Sequence, residues 1–157
     1  MIVIGYQGIG KSTLGGFQDC IDLESGNFWV DGKRDENWYK PYCNIALHLH
    51  RQGFTVFTSS HEIVRNYLKE IATAEDKKSI FVCYPDKELK TAWVHRLKER
   101  YEDSGLDKDF KAWKNAEDRF DANIDELHFC GFKSIHIETM QYDLYQEIQH
   151  AKETRCK

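Results

Sequence analysis

Residues 1–14, which read MIVIGYQGIGKSTL, contain the strongest indication of fold in this chain. A short apolar run is followed by three glycines within six residues, and then by a lysine and two hydroxyl side chains. The apolar run predicts a buried strand, and residues 11–17 predict the start of a helix. Gly5, Gly8 and Gly10 can adopt positive φ angles, which lets the backbone wrap closely around a bound group.

The spacing of these residues fits the pattern G-x-x-x-x-G-K-[ST], the P-loop or Walker A motif. In this motif successive backbone N–H groups form a nest for phosphate, and the helix that follows adds unpaired N–H groups and the positive end of its dipole. Lys11 is expected to reach the outer phosphates, and the Ser12 hydroxyl to bind Mg²⁺. The predicted nucleotide-binding residues are Gly5, Gly8, Ile9, Gly10, Lys11, Ser12 and Thr13.

The glycines allow two other interpretations. The first is a glycine-rich turn between strand and helix that binds nothing, but a strand before the motif and a helix after it favour phosphate binding. The second is the dinucleotide-binding fingerprint G-x-G-x-x-G. The glycines here run G-x-x-G-x-G, and Lys11 has no place in that fingerprint.

Composition indicates one globular domain over residues 1–157, with 41% hydrophobic and 31% charged residues. The formal net charge of −4 argues against non-specific nucleic-acid binding. The five cysteines are scattered and form no C-x-x-C pair, which indicates reduced thiols in a cytoplasmic protein. The sequence predicts neither a signal peptide nor a membrane-spanning segment.

Strands alternate with helices along the chain, which predicts a parallel sheet with helices on both faces. After the first strand, further strands are predicted to end near Asp22 and to cover residues 54–60, 79–85 and 134–138. Helices are predicted over residues 41–53, 60–72, 86–105, 107–131 and 140–157. Ligands of such sheets bind at the carboxyl ends of the strands, so the side chains just after each strand are the candidates for a site.

This arrangement resembles the P-loop kinases of nucleosides, nucleotides and other small metabolites. The P-loop follows the first strand, the acidic residue Asp22 follows the second, and a polar cluster at residues 58–61 follows the third. Arg96 and Arg100 lie on the helix after the fourth strand. The resemblance covers most of the chain, which looks most like the short kinase-like proteins encoded by bacteriophages.

The resemblance implies a three-layer α/β fold with five parallel strands in the order 2-3-1-4-5. It also implies ATP with Mg²⁺ as phosphoryl donor and a mobile helical lid, about residues 90–120, that carries the arginines. Many relatives have an aspartate at the end of the third strand that holds Mg²⁺ through water, whereas this chain has residues 58–60, Thr-Ser-Ser. A hydroxyl brings no charge, so either Asp22 takes part of that role or the magnesium site is weak.

Four residues are predicted to act in catalysis: Lys11, Asp22, Arg96 and Arg100. Asp22 is expected to orient the attacking oxygen and accept its proton, with Glu24 as the competitor for that role. The alternative is that Asp22 only caps the loop that follows. The two arginines share a helix face and can stabilise the charge that develops during transfer. The alternative interpretation is that the two arginines form a solvated basic face and pair with neighbouring glutamates.

Residues 24–41 show neither a helical nor a strand period, and in the related kinases such a segment lies over the acceptor site. Aromatic faces in this segment can stack on a base, and its cations can bind an acceptor phosphate. The alternative is an irregular surface loop that its two tryptophans hold in place. The predicted acceptor-binding residues are Glu24, Trp29, Arg34, Trp38 and Ser60.

The predicted function is transfer of the γ-phosphoryl group of ATP to a small acceptor, a nucleoside or nucleotide, by a monomer or homodimer. A second hypothesis is a nucleotide-binding regulatory or interaction protein with weak or no transfer, which the missing acid after the third strand favours. A third is a kinase of nucleic-acid 5′ ends. The acidic net charge argues against nucleic acid as a partner, although residues 87–100 form a local basic stretch.

Overall fold

The computed structural model describes residues 1–17, 19–30 and 33–154, except the side chains of Trp29 and Val30. The strands within these residues are β1 (Ile2–Gly5), β2 (Cys20–Asp22), β3 (Trp29–Val30), β4 (Lys33–Arg34), β5 (Thr55–Ser59), β6 (Ile80–Pro85) and β7 (Lys133–Ile137). The helices are α1 (Lys11–Leu14), α2 (Tyr39–Arg51), α3 (Glu62–Ile71), α4 (Ala74–Lys77), α5 (Lys90–Ser104), α6 (Asp107–His128) and α7 (Leu144–Thr154).

Five parallel strands form the central sheet in the order β2-β5-β1-β6-β7. β3 and β4 form a separate pair, so when only the five strands of the central sheet are numbered along the chain, this is the predicted order 2-3-1-4-5. In the register of the sheet Gly5, the last residue of β1, lies beside Ser59 of β5 and Cys83 of β6. The ends of these strands therefore meet at one edge, where ligands of such sheets bind.

Helices cover both faces of the central strands. Every residue of β1 and of β6 is buried. Because successive side chains of a strand point to opposite faces, this burial requires covering elements on both sides. The arrangement is consistent with the predicted three-layer α/β fold.

The helix after β1 is much shorter than expected. α1 is a single turn, and Gly15 and Gly16, which are poor helix formers, follow it directly. The predicted contribution of a helix dipole at this point is therefore small, because so few peptide units align. The last helix also begins later than predicted, at Leu144, since the Asp143 carboxylate accepts hydrogen bonds from the backbone N–H groups of Tyr145 and Gln146.

The predicted lid region corresponds to α5 and the first part of α6. Trp93 and Leu97 of α5 and Phe120 of α6 are fully buried, which anchors both helices on the core. At the far end of this helix pair Leu106 is 50% exposed.

No helix in the described part of the chain is both long and apolar enough to cross a membrane. Four described cysteines are free and buried: Cys20, Cys43, Cys83 and Cys130.

Candidate functional site

Residues 5–12, here called the glycine loop, connect β1 to α1. Gly8 and Gly10 have φ angles of +85° and +95°, a region that side-chain-bearing residues rarely adopt. Gly5 is needed for a different reason. A Cβ atom at this position would lie 2.5 Å from Cδ1 of Ile9 and 2.8 Å from Cδ of Lys11. A larger residue at this position would therefore force the Ile9 and Lys11 side chains to move.

The Lys11 ammonium lies over the start of this loop. Its Nζ donates hydrogen bonds to the carbonyl oxygens of Gly5 at 3.0 Å and Tyr6 at 3.3 Å. Because an ammonium carries three N–H donors, these two bonds can orient the group while the third serves a bound anion. Burial lowers the pKa of Lys11, and the carboxylates of Asp22 and Glu24 oppose that shift. A partly buried cation next to a loop of backbone N–H groups is suited to binding an anion.

Ser12 and Asp22 form a direct contact between the glycine loop and the end of β2. The Ser12 hydroxyl donates to Oδ2 of Asp22 at 3.0 Å. Gly15 permits this approach, since a Cβ there would lie only 2.9 Å from the Cβ of Asp22. Both side chains offer oxygen ligands, the kind that Mg²⁺ prefers.

The described residues include no group of three His, Cys, Asp or Glu side chains that could hold a metal ion. A magnesium ion here would therefore depend on Ser12, on Asp22 directly or through water, and on the oxygens of a bound phosphate. Mg²⁺ commonly binds through one or two protein oxygens and substrate phosphates, so the donor set fits.

Side chains from other parts of the chain also hold the glycine loop in place. Nε1 of the fully buried Trp93 donates to the Gln7 carbonyl at 2.9 Å, and the Tyr142 hydroxyl donates to the Gly8 carbonyl at 3.5 Å. The Gln7 side chain donates to the Ala112 carbonyl at 2.8 Å. Trp93 is a core residue whose indole N–H also positions the loop.

The predicted catalytic residue Arg96 lies within this outer support. It donates to the Tyr142 hydroxyl and to the Met140 carbonyl, both at 3.1 Å. Its guanidinium centre lies 4.8 Å from the Trp93 ring centre. These contacts give Arg96 a structural role behind the loop.

The second predicted arginine, Arg100, points to a different neighbour. Its Nη2 lies 2.7 Å from Oδ1 of the buried Asp109. The charge of Arg100 is one of the influences that lower the pKa of Lys11, after burial, so the two cations are within electrostatic reach. The two arginines therefore share a helix but not a set of contacts.

A cleft of about 770 Å³ adjoins the glycine loop. Tyr6 and Gln7 form one part of its wall, and the start of α3 and the inner side of α6 form others. Three of the residues predicted to bind the acceptor line it: Glu24, Arg34 and Ser60. The volume lies within the usual range of small-molecule sites, about 300–1,000 Å³.

The other two predicted acceptor residues are placed differently. Trp38 is only 8% exposed, and the guanidinium of Arg34 covers its ring at 4.2 Å from the ring centre. The predicted stacking of a base on Trp38 therefore has no open face in this structure, and the ring supports Arg34 instead. The side chain of Trp29 lies outside the described part of the chain.

At the end of β5, where many P-loop kinases have an aspartate, this chain has hydroxyl side chains. Thr58 is fully buried, and its hydroxyl has no hydrogen-bond partner within the described part of the chain. The Ser59 hydroxyl lies 2.9 Å from Nδ1 of His61. This strand end is polar but carries no carboxylate.

Tyr42 is one residue that sequence reasoning missed. Its hydroxyl donates to the Leu23 carbonyl at 2.7 Å and accepts from the Ser59 backbone N–H at 2.8 Å. It thus ties the ends of β2 and β5 together beside the site. Burial raises its pKa to about 12, so the phenol keeps its proton.

Arg65 is the second missed residue. Its side chain is 7% exposed, lines the cleft and donates to the Ser60 carbonyl. The available signal was an arginine on the buried face of α3, next to Val64 and three residues before Leu68. Charged residues rarely occupy such positions without a partner or a function.

Comparisons of the chain with protein-family models, with curated proteins and with solved structures found no match. A functional assignment therefore depends on the arrangement of these side chains.

Proposed function

We propose that the chain is a P-loop NTPase that acts as an ATP-dependent kinase on a small acceptor, a nucleoside or nucleotide. The observation that carries the proposal is Lys11, held over the glycine loop by two carbonyl groups beside the Ser12–Asp22 pair. A backbone nest, a lysine and a hydroxyl are what a triphosphate and its metal ion require.

ATP with Mg²⁺ supplies the transferable phosphoryl group in this proposal. Lys11 binds the outer phosphates, and Ser12 provides an oxygen ligand for the metal. Asp22 orients the attacking oxygen of the acceptor and, for a hydroxyl acceptor, takes its proton. The charge that develops in transfer is stabilised by Lys11 and by Arg100, once an opening of the helix pair frees it from Asp109.

The cleft provides the acceptor site. It adjoins the glycine loop at the carboxyl edge of the sheet, so an acceptor bound there lies next to the end of the triphosphate. Glu24, Arg34 and Ser60 contact the acceptor from the walls. A cytoplasmic location and a monomeric or homodimeric state are part of the same proposal.

The regulatory alternative has two observations in its favour. The end of β5 carries Thr58 and no carboxylate, and α1 is a single turn. Both features weaken the support for the metal and the phosphates. A protein of this second kind would bind ATP and transfer its phosphate slowly or not at all.

The discriminating experiment measures ADP release from ATP–Mg²⁺ with a panel of nucleosides, nucleoside monophosphates and 5′-hydroxyl oligonucleotides. Release that depends on a nucleoside or a monophosphate supports the proposal. ATP binding without acceptor-dependent release would contradict it in favour of the regulatory alternative. Release only with oligonucleotides would contradict it in favour of a 5′-end kinase.

A further inference from the structure

Two arginines, Arg34 and Arg65, line the cleft that adjoins the glycine loop, together with carboxylates that include Glu24, Glu62 and Glu126. His61 lines the cleft as well. Burial lowers the pKa of His61, and the charges of Arg34, Lys11 and Arg65 lower it further. Like charges crowded into a partly desolvated space repel one another, and an anion bound among them relieves that repulsion.

Arg34 is oriented before any ligand binds. Its Nη2 donates to the Ser25 carbonyl at 3.1 Å, and its guanidinium lies over the ring of the buried Trp38. Burial lowers the pKa of Arg34, so its charge is poorly solvated. A fixed and poorly solvated guanidinium binds an anion at a small cost in side-chain entropy.

Within the described part of the chain, Arg65 forms an ion pair with Glu126, and this contact is weak. Nη2 of Arg65 lies 3.4 Å from Oε2 of Glu126, longer than the 2.7–2.9 Å typical of a charge-assisted hydrogen bond. The Glu126 side chain is 44% exposed, and its other oxygen lies 3.2 Å from Nη2 of Arg119. Glu126 is therefore a shared and easily replaced partner for a buried arginine.

We propose that the cleft binds a phosphate monoester whose phosphate displaces Glu126 from Arg65 and also contacts Arg34. The proposal rests on the function proposed above and narrows the acceptor to a nucleoside 5′-monophosphate. A phosphate offers three acceptor oxygens and more negative charge than a carboxylate, and it matches the planar donor fork of arginine. A neutral nucleoside carries no charge that could replace Glu126 as the partner of Arg65.

The proposed reaction transfers the γ-phosphoryl group of ATP to the phosphate of the acceptor. An oxygen of the acceptor phosphate forms a bond to the γ-phosphorus, and the bond from that phosphorus to the β–γ bridging oxygen breaks. The products are ADP and a nucleoside diphosphate. When the acceptor phosphate is a dianion the step releases no proton, so Asp22 then acts by orienting the attacking oxygen.

The test is titration calorimetry with adenosine, guanosine, cytidine and uridine and with their 5′-monophosphates, at constant ionic strength and without phosphate buffer. We expect at least one monophosphate to bind ten-fold or more tightly than its nucleoside. Arg65→Met should remove this preference, and Glu126→Gln should tighten monophosphate binding several-fold because it removes the competing charge. Lys33→Met is the matched control, since Lys33 is exposed on β4 beside Arg34 and should leave binding unchanged.

Equal affinity for nucleosides and monophosphates would overturn the proposal, as would weaker monophosphate binding in Glu126→Gln. If Arg65→Met does not fold, Arg34→Met and Glu126→Gln carry the test with the same criteria. ATP affinity of the wild type and of Lys11→Ala is measured in parallel. Lys11-dependent ATP binding without a monophosphate preference overturns only this inference. A monophosphate preference without Lys11-dependent ATP binding overturns the proposed kinase function and supports the anion site alone.

Discussion

The Ser12 hydroxyl donates a 3.0 Å hydrogen bond to the Asp22 carboxylate, which joins the glycine loop to the end of β2. Ser12 is the residue expected to bind the metal ion, and Asp22 is the one expected to orient the acceptor. The contact therefore places these two predicted functions side by side. It depends on the absence of a side chain at Gly15, against which Asp22 packs.

Asp22→Asn should lower kcat by about 10²–10⁴-fold, the range for loss of an orienting or acid–base group. An asparagine keeps an oxygen that can accept from Ser12, so the local structure is retained and ATP affinity should change far less. Steady-state kinetics with ATP and the best acceptor measure both quantities. Glu24→Gln is the comparison variant. An unchanged kcat in Asp22→Asn with a reduced kcat in Glu24→Gln would assign the role to Glu24.

Gly15→Ala should destabilise the protein by about 1–3 kcal/mol, because the new Cβ would lie 2.9 Å from that of Asp22 and one backbone must move. Gly15 has φ −60°, so alanine adds no backbone strain. At Gly16 a Cβ meets nothing within 4 Å, and Gly16→Ala should be neutral or slightly stabilising. Urea unfolding of both variants measures the difference, and equal free energies of unfolding would contradict the close packing of α1 on β2.

Trp93→Phe should weaken ATP binding several-fold, since it removes the hydrogen bond that holds the Gln7 carbonyl of the loop. Trp113→Phe is its control. Nε1 of Trp113 is buried without a hydrogen-bond partner in the described part of the chain, so its removal costs no bond. Calorimetric titration with ATP–Mg²⁺ compares the two variants. Equal ATP affinities would show that the indole of Trp93 contributes packing alone.

Much of the sheet is predictable because most of its strands are nearly continuous apolar runs ended by glycine, proline or polar residues. The order of the strands followed only from the resemblance to P-loop kinases. The β3–β4 pair escaped prediction because two-residue strands are too short to show a period of two. The length of α1 also escaped it, since residues 11–14 suit a helix and only the two glycines that follow end it.

The candidate site was predictable where its residues lie at the end of a strand, as Asp22 does, or within a sequence motif that follows a strand, as Lys11 and Ser12 do. Tyr42 and Arg65 lie within helices, and their side chains reach the site only through tertiary packing. The burial of Trp38 under Arg34 also results from tertiary packing. Sequence spacing places a residue on a helix face but not against a particular neighbour.

Asp76 should make stability depend on pH in the acidic range. The hydrogen bond from Arg51, followed by those from Thr73, holds the pKa of this carboxyl well below its ordinary value of 3.8. The unfolded chain therefore binds the proton more readily, so the stabilisation is present above pH 3.8 and is lost as the pH falls below it. Urea unfolding between pH 7 and pH 3 should show a smaller loss of stability in Asp76→Asn than in the wild type. Identical pH profiles would contradict this role.

The most direct test of the central claim is the Kd of ATP–Mg²⁺ for the wild type and for Lys11→Ala, measured by titration calorimetry. Loss of a charged hydrogen-bond donor worth about 1.5–3 kcal/mol should weaken ATP binding roughly 10–100-fold. Lys33→Ala removes an exposed lysine outside the site and controls for net charge, and circular dichroism checks that all three proteins are folded. The account predicts a large rise in Kd for Lys11→Ala alone. A wild-type Kd in folded Lys11→Ala would contradict the assignment of the glycine loop as a phosphate site.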